Sequence, residues 1–413
     1  MERAQPPSLI ETSVLAVLGG TICLSLLPSV PLYGAAMFVA GGVGIAYEAM
    51  TYSKFDKIFK SLKLGVGESY PIKKRMSSKE DYDLYEFTLP VGMSVEDFEK
   101  KHDAIEQYVG KRIEIAYGFK NLLIRVYTKD LPDVWKYEPI KVKGRVGLLI
   151  GCDRQCKPVA IDLGDGEPHL LIAGESGSGK STVLRSIITN IILTANVDLY
   201  LIDLKRGAEF NLFRKCQKVK SFARTEEEAE NLLRDVSVEV DRRYDLFFDA
   251  DCIDIKHYQS KHPENALRYQ VVIIDEFADL MYEKGSIALL EGLAAKARAC
   301  GIHLIISTQR PDAKVLSSRI KANVPVVLGL KTMNETNSRI IIGDKGLEKL
   351  RGKGHGLLLH GDLTELQCPL LSAEDAAELL KPYYRKEEPA KRKSMFGKIG
   401  GVLFADSERQ SSA

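Results

Sequence analysis

The stretch HLLIAGESGSGKS, residues 169–181, decides the fold: a short apolar run passes directly into a glycine-rich turn that ends in Lys-Ser. The run reads as one buried strand and the segment after the turn as a helix, from Ser181 to about Leu193. In the turn, Gly174, Glu175, Ser176, Gly177, Ser178 and Gly179 set backbone amides toward a triphosphate, and Lys180 reaches the outer phosphates. The hydroxyl of Ser181 is placed to ligate magnesium, Thr182 follows it, and the helix start adds its positive dipole. The spacing predicts a site for ATP with Mg2+.

A second signal is YQVVIIDEFADL, in which a buried strand ends in two adjacent carboxylates. Bare carboxylates are costly to bury, so they are expected at the strand's carboxyl end, where sheets of this kind bind ligands. Asp275 is read as a second magnesium ligand and Glu276 as the group that orients or deprotonates the attacking water, with Asp279 one helical turn on as a cap or ion-pair partner. A third signal is KARACGIHLIISTQRP, residues 296–311. If its apolar run lies beside the phosphate-loop strand, Thr308 and Gln309 arrive near the outer phosphate, and Gln309 senses it. Arg298, before the strand, is read as a partly exposed group able to reach a neighbouring subunit's site and stabilise charge there.

Working outward, strand-like and helical patterns alternate over 141–372, as in a mostly parallel sheet with helices on both faces. Upstream, 82–140 reads as a small α/β adaptor: alternating strand residues after Tyr82, a helix started by Ser94 and Asp97 and stopped by Gly110, then a hairpin. Residues 51–81 read as a juxtamembrane linker. Two apolar segments, Leu9 to Leu27 and Val30 to Met50, are each long enough to cross a bilayer, and they form a predicted hairpin within 1–50. Lys54, Lys57, Lys60 and Lys63 after the second segment, and Arg3 before the first, set both ends toward the cytoplasm, so the expectation is a two-helix protein of the cell membrane. Residues 373–413 read as one amphipathic helix and a basic tail.

Composition narrows the partners. With 58 Lys and Arg against 56 Asp and Glu the 413-residue chain is nearly neutral, so contact with nucleic acid or lipid has to be local. The seven cysteines are scattered, which fits reduced thiols, and Cys152 and Cys156 lack a second pair at metal spacing.

Taken in order, HLLIAGESGSGKS, VVIIDEFADL, KARACGIHLIISTQRP followed by IKANVPV and NSRIII, and EKLRGKGHGLLL resemble the FtsK/SpoIIIE family of ring-forming DNA-pumping ATPases. The resemblance covers about residues 145–372. It implies a RecA-like P-loop ATPase domain that assembles as a hexamer around DNA and hydrolyses ATP between subunits. It sets Arg298 at the family's arginine-finger position and brings Arg310 and Lys321 toward a central pore. Asn337-Ser338-Arg339 stands where the family usually has Asp-Ser-Arg, which puts a sensor role for Arg339 in doubt. Chromosome-segregating members carry a long linker and a winged-helix module that reads DNA orientation, and this sequence shows neither. A hairpin, an adaptor and one motor look like the FtsK-type coupling proteins of Gram-positive conjugative elements, which deliver relaxase-bound DNA to a type IV secretion channel.

A motor that moves along any sequence grips phosphates and not bases. Arg310, Lys314, Arg319 and Lys321 form one candidate set, and Lys215, Lys218, Lys220 and Arg224 another. The alternatives are a chromosome-partitioning translocase, a protein-export ATPase of the type VII secretion kind, and a membrane scaffold that binds nucleotide without hydrolysing it. The single phosphate loop disfavours the second of these, and Glu276 with Gln309 disfavours the third.

Overall fold

The computed structural model describes residues 54–118, 121–282, 284–310 and 316–385. The expected hairpin over 1–50, Lys314 and the basic tail beyond Arg385 lie outside the described residues. Among those described, no helix is long and apolar enough to cross a membrane.

Two hydrophobic cores organise the rest. The smaller begins with helix α1 (54–61), whose Phe55, Ile58 and Phe59 fall at the spacing of one helical face. They pack on an antiparallel sheet of β1 (Ile72–Ser78), β2 (Tyr82–Thr88), β3 (Ile113–Gly118) and β4 (Asn121–Tyr127) in the order β1-β2-β4-β3. The Phe55 ring centroid is 4.8 Å from that of Tyr85 and 5.3 Å from that of Phe87. The linker expected over 51–81 is corrected accordingly: its described part supplies α1 and β1. The four lysines that read as juxtamembrane charge include the solvent face of an amphipathic helix. Where one helix from Ser94 to Gly110 was expected, two short ones complete this unit, α2 (Val95–Glu99) and α3 (His102–Val109). The Ser94 N–H donates to Asp97 Oδ2 at 2.9 Å, and Gly110 ends α3 at φ 70°.

After β5 (Trp135–Lys136) the chain builds one large sheet. Its strands are β6 (Gly147–Cys152), β7 (Pro158–Asp162), β8 (His169–Ala173), β9 (Val197–Ile202), β10 (Val219–Ala223), β11 (Tyr269–Ile274), β12 (Ile302–Thr308), β13 (Val326–Leu330), β14 (His355–His360) and β15 (Asp362–Gln367). They run in the order β10-β9-β11-β12-β8-β13-β14-β15-β6-β7. The strands from β10 to β13 pair in parallel, and β8, β11, β12 and β13 are buried at every residue, as strands covered on both faces should be. The remaining pairings, from β13 through β14, β15 and β6 to β7, are antiparallel. The sheet is therefore mixed, where a mostly parallel one was expected. The short β6-β7 and β14-β15 connections fix this, because a parallel partner needs a long crossover.

The helices are α4 (Lys180–Thr194), α5 (Glu226–Asp249), α6 (Ile255–Lys261), α7 (Lys284–Lys296), α8 (Ser318–Asn323), α9 (Glu335–Ile342) and α10 (Ala373–Leu380). Helix α10, expected as an appendage after 372, buries Leu380 in the large core. The chain after it lies along the sheet edge, where Gln217 N–H donates to Tyr383 O and Arg385 N–H to Lys215 O, both at 2.9 Å. A last short strand, β16 (Pro369–Leu370), pairs with β5.

One consequence of the strand order matters most. Because β12 lies between β11 and β8, the carboxyl ends of these neighbours bring Asp275, Thr308 with Gln309, and Gly174 to a single edge. The two units also touch by charge. Lys349 Nζ is 2.8 Å from Asp103 Oδ2, and Arg112 Nη2 is 3.4 Å from Glu365 Oε1.

Candidate nucleotide site

Gly179 closes the phosphate loop at φ 107° and caps α4. A side chain there would strike backbone, since a Cβ would lie 2.5 Å from Gly354 N. Above the turn opens a cavity of about 490 Å³, lined by Glu175, Ser176, Gly177, Gly179, Lys180, Ser181 and Thr182, with Gln309 from the end of β12. The other two residues of the expected cradle sit beneath it. Gly174 N–H donates to Thr308 O at 3.2 Å, and the carbonyl of Ser178 accepts from Gly354 N–H at 2.8 Å. The Ser178 hydroxyl is buried and has no hydrogen-bond partner among the described residues.

Lys180 is turned inward. Its ammonium donates to Asp275 Oδ1 at 2.8 Å, to the Asp275 carbonyl at 2.7 Å and to Ser307 Oγ at 3.1 Å. Both side chains of this ion pair are buried, at 2% and 1% exposure, so neither charge is satisfied by water. The second Asp275 oxygen takes Lys205 Nζ at 3.3 Å. Partial burial works against the charge on Lys205, but the Asp275 carboxylate beside it leaves its pKa above the usual value. Lys205 was not singled out in the sequence. Its place depends on buried Asp203, which accepts the amides of Lys205, Glu209 and Phe210 at 3.1, 2.8 and 3.0 Å and so shapes the loop after β9.

Glu276 is not open to the cavity as the sequence reading expected. Its Oε1 accepts from Thr308 Oγ1 at 2.7 Å and its Oε2 from the Gln309 N–H at 2.9 Å, and the residue is 4% exposed. The end of β12 holds the carboxylate and at the same time presents the Gln309 side chain to the cavity. Asp279, expected as a cap or ion-pair partner, sits in the short helical turn after Glu276.

The residues present fit a magnesium nucleotide. Amides of a left-handed glycine turn, an unpartnered buried hydroxyl and a lysine suit phosphates, while Ser181 on the wall and Asp275 behind Lys180 offer the oxygens a hard cation takes. The far wall comes from segments distant in sequence: Asp133, Val134, Glu209, Lys353, Gly354, Gln367, Cys368, Pro369 and Leu370. No spacing in the sequence announces these. The EKLRGKGHGLLL motif was the one available pointer.

Arg298 lies at the opposite end of β12 from Gln309, exposed, with Nη2 donating to Gly166 O at 3.0 Å. A strand rising about 3.3 Å per residue sets it roughly 20 Å or more from its own chain's cavity. Arg310 and Lys321 are exposed, and Arg319 Nη1 is 3.5 Å from Glu291 Oε2. In the second basic set, Lys215 and Arg224 are exposed and Lys220 pairs with Asp198 at 3.5 Å. Lys218 is corrected: its ammonium caps the end of α4, donating to Ile192 O at 2.7 Å and to Ala195 O. Arg339 pairs with Glu335 at 2.6 Å on α9 and does not line the cavity. Cys152 is buried and Cys156 exposed, both as free thiols.

Residues 133–313 match the model of the FtsK/SpoIIIE family. The DNA translocase FtsK of Staphylococcus aureus is 38% identical over 262 residues, which are 59% of this chain and 32% of that relative. The DNA translocase FtsK of Leptospira interrogans is 32% identical over 355 residues, 79% of this chain and 36% of the relative. The chain thus spans about a third of the length of these relatives. Among solved structures, the pCW3 conjugation coupling protein TcpA, in its monomer form with ATPgS, is similar at 25% identity and a TM-score of 0.59, over 80% of this chain and 99% of that one. The cytoplasmic domain of the Thermomonospora curvata type VII secretion ATPase EccC shares the fold at 22% identity and a TM-score of 0.53, over 61% of this chain and 32% of its own.

Proposed function

We propose that this chain, which carries an FtsK/SpoIIIE family domain over residues 133–313, is an ATP-driven DNA translocase anchored in the cell membrane. In this reading it serves as the coupling protein that feeds DNA, with its relaxase, into a type IV secretion channel during conjugative transfer. The observation that carries the ATPase part is the meeting of Lys180, Asp275, Glu276 and Gln309 at one sheet edge. The coupling role is supported by the likeness to TcpA, which covers 80% of this chain and 99% of that one.

The chemistry follows from the residues. A nucleotide's phosphates compete with Asp275 for the Lys180 ammonium and take the amides of the glycine turn. Magnesium, when bound to Ser181 and Asp275, supplies charge neutralisation at the phosphates. Gln309 carries the phosphate signal into the backbone amide that holds Glu276, and Glu276 released from that amide orients the attacking water. Arg298 cannot serve its own site across the length of β12, so its catalytic use requires a neighbouring copy, as in a hexameric ring. Exposed Arg310, Arg319 and Lys321 grip DNA phosphates without reading bases. The hairpin over 1–50 holds the motor at the cytoplasmic face.

The test is ATP hydrolysis by the full chain in detergent, with and without double- and single-stranded DNA, alongside transfer, segregation and secretion in a deletion strain. DNA stimulation and a loss confined to transfer are expected. Hydrolysis indifferent to both DNA forms would sink the translocase reading, and a secretion defect alone would move the chain to protein export.

A further inference from the structure

The turn Gly352-Lys353-Gly354 crosses directly over the phosphate loop. Gly354 N–H bonds to Ser178 O at 2.8 Å, and a Cβ on Gly179 would lie 3.2 Å from the carbonyl carbon of Lys353. Its backbone is left-handed at all three residues, with φ of 84°, 54° and 86°. Two of the three are glycines, to which this costs little, but Lys353 holds a conformation that L-residues avoid. Such strain persists only where surrounding contacts impose it. Those contacts are present. The Lys353 carbonyl accepts from Gln367 Nε2 at 2.9 Å, and next to it Arg351 donates through its backbone N–H and Nε to His355 Nδ1 at 3.2 and 3.3 Å. Arg351 also pairs with Asp133.

The strained residue stands on the wall of the cavity, beside Gly354. Of the two lysines on its wall, Lys180 is locked to Asp275, whereas Lys353 is exposed and makes no ion pair among the described residues. Asp133, a carboxylate on the same wall, is engaged by Arg351.

We propose that Lys353 is a second phosphate-binding cation of the nucleotide site, set over the phosphate loop by this strained turn. The proposal rests on the reading of the cavity as an ATP site. An ammonium on a four-carbon stem, rooted in backbone that touches Gly179 and Ser178, has the reach to meet phosphates cradled by the same loop. Charge-assisted hydrogen bonds of this kind change affinity by about tenfold or more.

Binding of ATPgS and of inorganic tripolyphosphate, which has no base, is measured by calorimetry on the full chain and its Lys353→Met, Lys353→Arg and Lys353→Gly variants. Lys353→Met is expected to weaken both ligands about tenfold, and Lys353→Arg to restore most of that loss. Lys353→Gly separates charge from strain: it relieves the left-handed backbone, so its melting temperature should hold or rise while both affinities fall. Unchanged affinities in Lys353→Met, or a loss for ATPgS with none for tripolyphosphate, would overturn the proposal. Binding of neither ligand by the wild-type chain, with its melting intact, would overturn the nucleotide reading itself.

Discussion

Glu365 joins the two units, and its removal should loosen them by a measurable amount. The carboxylate is 19% exposed and sits among Arg154, Arg112 at 3.4 Å and His355 Nε2 at 2.8 Å. Arg351 donates to His355 Nδ1, so the proton on the other nitrogen is directed at Glu365. Burial alone would raise the Glu365 pKa, but the His355 hydrogen bond and the charges of Arg154 and Arg112 overcome it and hold the group at about 2, against an ordinary 4.5. That difference corresponds to about 3 kcal/mol. The folded value lies below the unfolded one, so this stabilisation is complete above about pH 4.5 and is lost as pH falls through about 2. Glu365→Gln keeps the shape and removes the charge shared by the two guanidinium groups, leaving Arg154 with exposed Asp130 at 3.7 Å and Arg112 with Glu106 at 3.4 Å. The expected loss at pH 7 is about 2–3 kcal/mol, read by denaturant unfolding. About 2 kcal/mol of the gap to wild type should be gone by pH 3. Arg112→Ala should cost less than about 1 kcal/mol because Arg112 is 40% exposed. Arg154→Ala should cost more, since its guanidinium also lies 4.2 Å over the Tyr127 ring. A Glu365→Gln protein within about 0.5 kcal/mol of wild type at pH 7 would refute the reasoning, because cluster attraction would then only balance desolvation.

Three further outcomes are expected. Burial holds His169 and His303 neutral, at about 3 and about 4 against an ordinary 6.5, so stability is complete above pH 6.5 and falls below it. By pH 5 each costs about 2 kcal/mol, and His303→Phe should flatten the urea-midpoint profile between pH 7 and 5, which a profile unchanged by the substitution would contradict. Gly179→Ala combines a left-handed backbone with a contact of 2.5 Å to Gly354 N, so it should abolish ATP binding in calorimetry and lower the melting temperature by several degrees. Arg298→Ala should leave ATP affinity unchanged and remove most hydrolysis. Mixed assemblies of Arg298→Ala and Lys180→Ala chains should recover activity at one type of interface, and complete absence of recovery would count against a role between subunits.

The legible parts of the chain were those in which sequence neighbours are also neighbours in space. The phosphate loop, its strand and its helix are contiguous, and so are the two carboxylates ending β11 and the polar end of β12. The lateral position of β12 beside β8 entered the reading only as a condition, and the strand pairing meets it. What escaped is carried by contacts across long separations. Lys205 reaches Asp275 over 70 residues, and the Lys353 turn meets the loop from the far side of the sheet. Charge misled where a lysine has a structural use: Lys218 serves helix carbonyls, and three of Lys54, Lys57, Lys60 and Lys63 ride on a helix whose other face is core. A lysine's stem and head can serve different surroundings, and sequence reports only its charge.

At the polar end of β12 one segment of backbone holds Glu276 and also borders the cavity. The Glu276 carboxylate is held by the Thr308 hydroxyl and the Gln309 amide, while the Gln309 side chain faces the cavity. Any shift of Gln309 toward a phosphate therefore alters the donor that restrains Glu276, with no intermediary. The Lys180–Asp275 pair works in the same sense, because phosphates that draw Lys180 away leave Asp275 with Lys205 alone. Under the proposed function, phosphates that displace these contacts would couple occupation of the cavity to release of Glu276 through β12. The same strand begins just after Arg298. A displacement at one end is thus carried by a fully buried strand toward the residue that would face the next subunit.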